Sequence, residues 1–181
     1  MKKSGLLIFI LAAMLAFTAC DSSPSSNGSD ENNGDSPPVT TENPQNPPVF
    51  SFKFGDVVIE MNENMSNVIG KLGEPLGVLE APSCAFDGTD RIFSYPGVQI
   101  YTYPVDDDDF IHTIGFFDDS VYTTEGKIRL GADIQDVIDV YGDNYKYETG
   151  MYTFTRGSTF LEFLVDDDIV IGITYRYDLN L

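Results

Sequence analysis

The chain has 181 residues, of which 29 are acidic and 10 basic, and its formal net charge at pH 7 is −19. This acidic excess excludes nucleic acid and anionic lipid headgroups as charge-driven partners, because both are bound by clusters of Lys and Arg. The same excess favours cationic ligands or basic protein surfaces as partners.

Residues 1–19 have the pattern of a signal peptide. Lys2 and Lys3 precede an uncharged apolar stretch, residues 5–17, which is shorter than the roughly 20 residues of a spanning helix. The segment Leu15-Ala-Phe-Thr-Ala-Cys20 resembles the lipobox of bacterial lipoproteins, with Phe17 where that family usually has Leu, Val or Ile. The resemblance implies cleavage before Cys20 and acyl chains, such as palmitate, carried on its sulfur. The alternative is an ordinary secretory peptide in which Cys20 has no special role.

Residues 20–49 are interpreted as the lipidated cysteine and a disordered acidic linker. The segment after Cys20 has five acidic residues, no basic ones and almost no apolar side chains, so it cannot bury enough surface to offset its ordering entropy. We expect it to hold the rest of the chain off the extracytoplasmic face of a membrane. Its length resembles the tethers of Gram-positive surface lipoproteins, and we therefore favour a Gram-positive surface as the location. Asp21 instead resembles the retention signal of inner-membrane lipoproteins.

Residues 50–181 have the length of one domain and contain an internal repeat. Residues 59–74 align with residues 128–143 at a constant offset of 69, and both copies place apolar side chains at helical spacing. We therefore predict a strand that leads into a short amphipathic helix in each copy. The residues expected to begin and end the two helices are Asn64 and Gly73, and Asp133 and Gly142.

Runs of β-branched and aromatic residues predict three strands after each helix. They are residues 91–95, 98–103 and 110–117, and then 151–155, 159–165 and 169–177. The strands align at a shorter offset than the helices, so the first copy carries an insertion at residues 81–90. These patterns predict an α+β fold of two tandem repeats, at about residues 54–119 and 120–178, each a short helix packed on an antiparallel β-sheet.

This layout resembles the β-lactamase-inhibitor-protein fold, and a single copy resembles the outer-membrane assembly lipoproteins of the SmpA/OmlA type. Helices that end in Gly plus an acidic residue, with strands after them, carry the resemblance. It implies the fold and protein binding in general, but no individual contact residue. The chain departs from the inhibitor in having no Trp and no matching disulfide pairs. It is also similar to uncharacterised clostridial surface lipoproteins, which would imply no activity.

Enzymatic and metal-binding alternatives lack a recognisable motif, and we expect neither a metal nor a cofactor. Cys84 could act as a nucleophile only with His112, the one histidine, as its base. We expect instead a buried, unreactive thiol, because free cysteine is among the most buried residue types. His112 aligns with Ile171, which predicts a packing residue on the strand face of Phe110, Ile114 and Phe116. The Asp runs at 106–109 and 166–168 lack the spacing of a calcium loop and suit polar turns.

The predicted binding site combines the insertion with tyrosines of the neighbouring strand. Its residues are Cys84, Phe86, Asp87, Tyr101 and Tyr103. Tyrosine is favoured at interfaces, although strand tyrosines such as these, Tyr175 and Tyr177 can also fill a core. We expect a non-enzymatic module that binds another envelope or extracellular protein and contacts the membrane through Cys20. The alternative is an extracytoplasmic hydrolase that uses acidic residues of the sheet.

Overall fold

The computed structural model describes residues 49–180, so the signal peptide, Cys20 and nearly all of the predicted linker lie outside the described residues. The described chain forms a mixed α+β structure of antiparallel strands and two helices. In chain order the elements are β1 (Ser51–Phe54), β2 (Val57–Glu60), α1 (Met65–Leu72), β3 (Gly77–Pro82), β4 (Thr89–Tyr95), β5 (Val98–Val105), β6 (Asp108–Phe116), α2 (Ile134–Tyr141), β7 (Lys146–Glu148), β8 (Met151–Arg156), β9 (Thr159–Asp166) and β10 (Ile169–Tyr177).

Both helices have the predicted ends. The side chain of Asn64 accepts a hydrogen bond from the Ser66 amide at 2.9 Å, and Asp133 does the same for the second residue of α2 at 2.8 Å. After the last helical turn, Gly73 and Gly142 adopt φ angles of 83° and 84°. Glycine suits these positions because positive φ is disfavoured for residues with a Cβ atom. The predicted caps are therefore confirmed.

Eight strands form one antiparallel sheet in the order β3-β4-β5-β6-β10-β9-β8-β7, while β1 and β2 form a separate hairpin. The strand predicted before α1 is β2, but the one predicted before α2 is wrong, since residues 117–133 contain no strand. There, the Thr123 amide donates to the carbonyl of Ile128 at 2.9 Å, so the chain pairs with itself in a local turn. The pattern also did not predict β1, β3 or β7.

One face of the large sheet forms the core. Both helices and the β1–β2 hairpin pack against it, through buried side chains such as Met65 of α1 and Val137 of α2. Phe52 of β1 is fully buried, and its ring lies 5.2 Å from Phe116 of β6 and 5.6 Å from Tyr175 of β10. The hairpin thus covers the junction between the two central strands. The opposite face, called the outer face below, is left without a covering element among the described residues.

Neither helix within residues 49–180 combines the length and the apolar character needed to cross a membrane.

Candidate functional site

The tyrosines of β5 and β10 lie on opposite faces of the sheet. In β5, Val98, Ile100 and Thr102 are buried in the core, and the alternating residues Tyr101 and Tyr103 are half-buried on the outer face. In β10, by contrast, Tyr175 is 1% exposed within the core. The sequence allowed these tyrosines to lie either in the core or at an interface. The structure places Tyr101 and Tyr103 on the outer face.

A β-bulge places His112 on this outer face as well. Tyr101 pairs with Thr113 and Thr102 pairs with Ile111, so His112 is the extra residue of β6 between them. A bulge reverses the alternation of side chains beyond it, and Ile114 and Phe116 consequently lie buried in the core. The prediction that His112 shares a face with Ile114 and Phe116 is wrong for this reason, because a bulge is invisible in the alternation of one strand.

Five rings gather on the outer face, and we call them the aromatic cluster. Tyr103 lies at its centre, with ring centroids 5.0 Å from Phe86, 6.2 Å from Phe110 and 6.3 Å from His112. Tyr101 lies 6.4 Å from His112. The Tyr103 hydroxyl donates to the side-chain oxygen of Asn62 at 2.8 Å. Since the Asn62 amide is itself bonded to Ile111 of β6, this contact fixes the Tyr103 ring over β6. Of the residues in the predicted site, the structure thus brings Phe86 into contact with Tyr103 and connects Tyr101 to them through His112.

The inserted segment forms the tip of the β3–β4 hairpin, residues 83–88. The Ser83 hydroxyl accepts from the Phe86 amide at 3.1 Å, and a Cβ atom on Gly88 would lie only 3.0 Å from Pro104 of β5. The first contact closes the turn within the tip, and the second packs the tip against β5. Cys84 and Asp87 are exposed on it. A buried Cys84 was therefore a wrong expectation, because the residue lies in the exposed connection between β3 and β4.

His112 contributes a neutral, half-buried ring to an open groove. The groove has a volume of about 250 Å³ and is lined by β3, β4, β5 and His112. Burial lowers the pKa of His112; Asp90 opposes this change and Arg176 adds to it. The Thr113 hydroxyl is the hydrogen-bond partner of the imidazole Nδ1, at 2.8 Å. Cys84 does not line this groove, so the described geometry does not bring the considered Cys–His pair together there.

On the helix side of the sheet, a second groove of about 340 Å³ lies between α1 and β3. Its lining includes Glu80 and Asp107–Asp109, with Arg91 as its single basic residue. Arg91 donates to Glu80 at 2.7 Å and to Asp109 at 2.6 Å, and these two contacts, Glu80 first, raise its pKa. The other carboxylate oxygen of Asp109 is buried without a hydrogen-bond partner among the described residues.

The two acidic runs are turns between strands. Asp106 and Asp107 connect β5 to β6, and Asp167 and Asp168 connect β9 to β10. Three of these four residues adopt positive φ angles between 46° and 64°, a conformation that Asp tolerates better than most residues. The runs therefore have the role of turn residues that the sequence favoured. Within residues 49–180, no group of three or more His, Cys, Asp or Glu side chains has the geometry to hold a metal ion.

A larger groove of about 490 Å³ lies between residues 126–132 and α2, and it shares no lining residue with the aromatic cluster. Lys127 and Arg129 lie in this segment, but both are over the ring of Tyr122, at 5.7 and 5.0 Å. Because these cations are already engaged, we place the candidate site at the aromatic cluster and its adjoining grooves.

Comparisons with known proteins leave the chain without a family. No protein-family model matches it, and neither does any curated protein. Among solved structures, it is similar to a DUF4309 family protein (YjgB) from Bacillus subtilis, at 17% sequence identity and a TM-score of 0.39. The similarity covers 64% of this chain and 78% of that chain. At this level of likeness the neighbour assigns no function to this chain.

Proposed function

We propose that this chain is a lipid-anchored, extracytoplasmic binding module that holds another protein against the outer face of its sheet and carries out no catalysis. The observation that carries the proposal is the aromatic cluster around Tyr103. Protein interfaces are enriched in aromatic side chains that combine a large apolar surface with a polar group. Here such side chains lie on the sheet face that no described element covers.

The surrounding residues extend this surface. Leu79 of β3 is 65% exposed and lines the outer-face groove together with Tyr101 and His112. On the second half of the face, the guanidinium of Arg176 lies 4.2 Å from the ring centroid of Phe160 and pairs with Glu162 at 2.7 Å. Apolar area beside a few fixed polar groups is the usual composition of a protein-binding surface.

We further propose that the two halves of the sheet are copies of one helix-and-sheet repeat, which places equivalent surfaces on either side of the β6–β10 junction. Equivalent backbone bonds support this: Asn62 donates to Ile111, and Gly131 donates to Val170, both at 2.8 Å. Each half also has a register shift in its last strand. The shift leaves His112 without a paired residue on β5 in one half, and Ile171 without a paired residue on β9 in the other. If the positions are equivalent, His112→Ile should fold; loss of cooperative unfolding in that variant would contradict the repeat.

The binding proposal is tested by site-specific photo-crosslinking in cells. A photoreactive residue at position 101 or 103 should capture a defined envelope protein. The same residue at Asn67, an exposed position on the helix side of the molecule, should not. Tyr103→Ala should reduce co-purification of the captured protein, whereas Cys84→Ser reports whether the thiol takes part. Equal capture from positions 67 and 103 would refute the outer face as the binding surface.

The anchor is tested separately by metabolic labelling with a palmitate analogue. The wild-type chain should incorporate label and sediment with membranes, because two or more acyl chains give stable anchoring. Cys20→Ala should lose both properties, while Cys84→Ala keeps them. Equal labelling of wild type and Cys20→Ala would show that Cys20 is not the modified residue.

A further inference from the structure

The two edges of the eight-stranded sheet differ in a way that bears on binding. At one edge, β7 has three residues and carries the exposed Lys146–Glu148 ion pair. At the other, β3 has six residues, Gly-Val-Leu-Glu-Ala-Pro, and every one of them is exposed. Short, charged edge strands prevent unwanted pairing, whereas a long apolar edge is a template for another strand. Among the described elements, β3 thus forms the edge that is open to pairing.

The hydrogen-bond ladder identifies which backbone groups are available there. The amide of Ser83 donates to Gly88 across the β3–β4 hairpin at 3.0 Å. In an antiparallel pair the backbone groups of successive residues point alternately to either side. The alternation from Ser83 therefore directs the amides of Val78 and Glu80 away from β4. On the opposite edge, Tyr147 has the same outward position, since Glu148 pairs with Met151 around a two-residue turn.

The two grooves described above flank this edge on opposite sides of the sheet. The groove on the helix side includes Val78 and Glu80, and it has an acidic rim and an apolar floor formed by Met65, Ile69 and Phe93. The groove on the outer face includes Leu79 and Ala81, together with Ile92 and Tyr101. A strand added along β3 would place alternate side chains in these two grooves, because successive side chains of a strand point to opposite faces.

The charges of the grooves specify the complementary sequence. The helix-side groove has four acidic residues and one basic residue, Arg91, which is already bonded to two of those acids. A basic side chain is therefore favoured on that side. The outer groove has one acidic residue, Asp90, and one basic residue, Arg91, beside its apolar and aromatic lining. Its charges therefore balance, and an apolar side chain is favoured there. A second copy of this chain would instead bring its own acidic residues against these, because the chain has a net charge of −19.

We infer that the partner adds a strand to the β3 edge, and that this strand belongs to an extended segment of another protein in which basic and apolar residues alternate. The inference rests on the proposed function in that the module binds a protein, and it specifies the mode of binding. Main-chain hydrogen bonds to Val78 and Glu80 would supply affinity, and the two grooves would supply the preference for the alternating sequence.

The test uses the full chain and a short blocked peptide that alternates Lys and Val over the length of β3. On binding, hydrogen exchange of the Val78 and Glu80 amides should slow by about tenfold or more, because both gain a hydrogen-bond partner. A peptide with its Lys and Val residues segregated, and one that alternates Glu and Val, should bind at least about tenfold more weakly. Failure of the alternating Lys–Val peptide to bind, or binding without protection of these amides, would overturn the inference.

A pair of proline variants at equivalent edge positions provides the matched control. Val78→Pro removes an outward amide and should weaken peptide binding by about tenfold, which is the effect of losing roughly one main-chain hydrogen bond. Tyr147→Pro makes the same change on the opposite edge and should bind as the wild type does. Edge strands tolerate proline where the amide faces solvent, and the exchange measurement on the wild-type chain does not depend on either variant folding.

The outcomes separate this inference from the proposed function. If the protein captured at positions 101 and 103 still binds Val78→Pro as tightly as wild type, strand addition is wrong and the outer-face proposal stands. Self-association of the chain that Val78→Pro abolishes would identify a second copy as the occupant and overturn the inference. Slow hydrogen exchange of the Val78 and Glu80 amides in the full chain before any peptide is added would also overturn the inference, because the edge would then already be occupied.

Discussion

Phe86 packs against Tyr103 with their ring centroids 5.0 Å apart. The contact joins the tip of the β3–β4 hairpin to β5 on the outer face. Phe86 is half-buried by it, whereas its neighbours Cys84 and Asp87 remain exposed. The aromatic pair therefore helps to hold the insertion against the sheet, and the insertion shapes the surface on which we expect a partner to bind.

Phe86→Ala should lower the free energy of unfolding by about 1 kcal/mol, a value typical of aromatic pairs. It should also reduce partner capture under conditions in which the variant remains folded. Urea unfolding and quantitative co-purification measure the two effects. Asp87→Ala, at the adjacent exposed position, should change stability by less than about 0.5 kcal/mol. If Phe86→Ala unfolds at the same urea concentration as the wild type, the ring does not fasten the hairpin.

His112 should make stability depend on pH near neutrality. Burial lowers its pKa in the folded chain, with Asp90 opposing and Arg176 adding to the change, so the unfolded chain binds the proton more tightly. Stability is then fully present above the ordinary histidine pKa of about 6.5. It falls as the pH decreases through that value towards the lower pKa of the folded state.

The measurement compares unfolding free energies at about pH 7.5 and about pH 5.5 for wild type and His112→Ile. The variant carries the residue found at the aligned position 171. Because both proteins contain the same carboxyl groups, a difference between them reports on residue 112. The wild type should lose more stability than the variant on acidification. A larger loss in the variant would mean that protonation of His112 favours the folded chain.

The Arg156–Glu125 pair should be the ion pair that matters most for stability. Both guanidinium Nη atoms donate to the Glu125 carboxylate, at 2.5 and 2.8 Å, and the Arg156 side chain is 13% exposed. Its guanidinium also lies 4.2 Å from the ring centroid of Phe50. Glu125→Ala should cost about 2 kcal/mol, since removing one partner leaves a poorly solvated charge.

The exposed pair of Lys146 and Glu148 serves as the control for that experiment. Its side chains are 70% and 67% exposed, so Glu148→Ala should change the unfolding free energy by less than about 0.5 kcal/mol. Thermal or urea unfolding of both variants gives the comparison. Similar losses for Glu125→Ala and Glu148→Ala would argue against the importance of burial at Arg156.

The two helix caps should contribute equally. Asn64→Ala and Asp133→Ala each remove a side-chain acceptor at the start of a helix and should each cost about 1 kcal/mol. Asn67→Ala, at an exposed position inside α1, should cost nothing measurable, because Ala has the higher helix propensity. Urea unfolding of the three variants tests this. A cost for Asn67→Ala as large as that for Asn64→Ala would remove capping as the explanation.

Features of the fold that depend on a few neighbouring residues could be predicted from the sequence. The ends of α1 and α2 follow from Asn64, Gly73, Asp133 and Gly142, because capping acts between a side chain and the next few amides. The hairpin turns follow in the same way from residues that favour turns. Phe86, Tyr101 and Tyr103 could also be singled out as candidates, because the insertion and the aromatic residues of β5 are visible in the sequence.

What the sequence could not determine depends on partners distant along the chain. The bulge at His112 is defined by its register with β5, and it alone decides that Ile114 and Phe116 enter the core while His112 does not. Cys84 is exposed because it lies in the connection between β3 and β4, outside both strands. The exposed edge at β3 likewise exists only once the strand order is set, because a strand becomes an edge through the absence of a neighbour. Local pattern thus determined both helices, most of the strands and the candidate aromatic residues, whereas tertiary pairing decided which of these residues lie on the outer face.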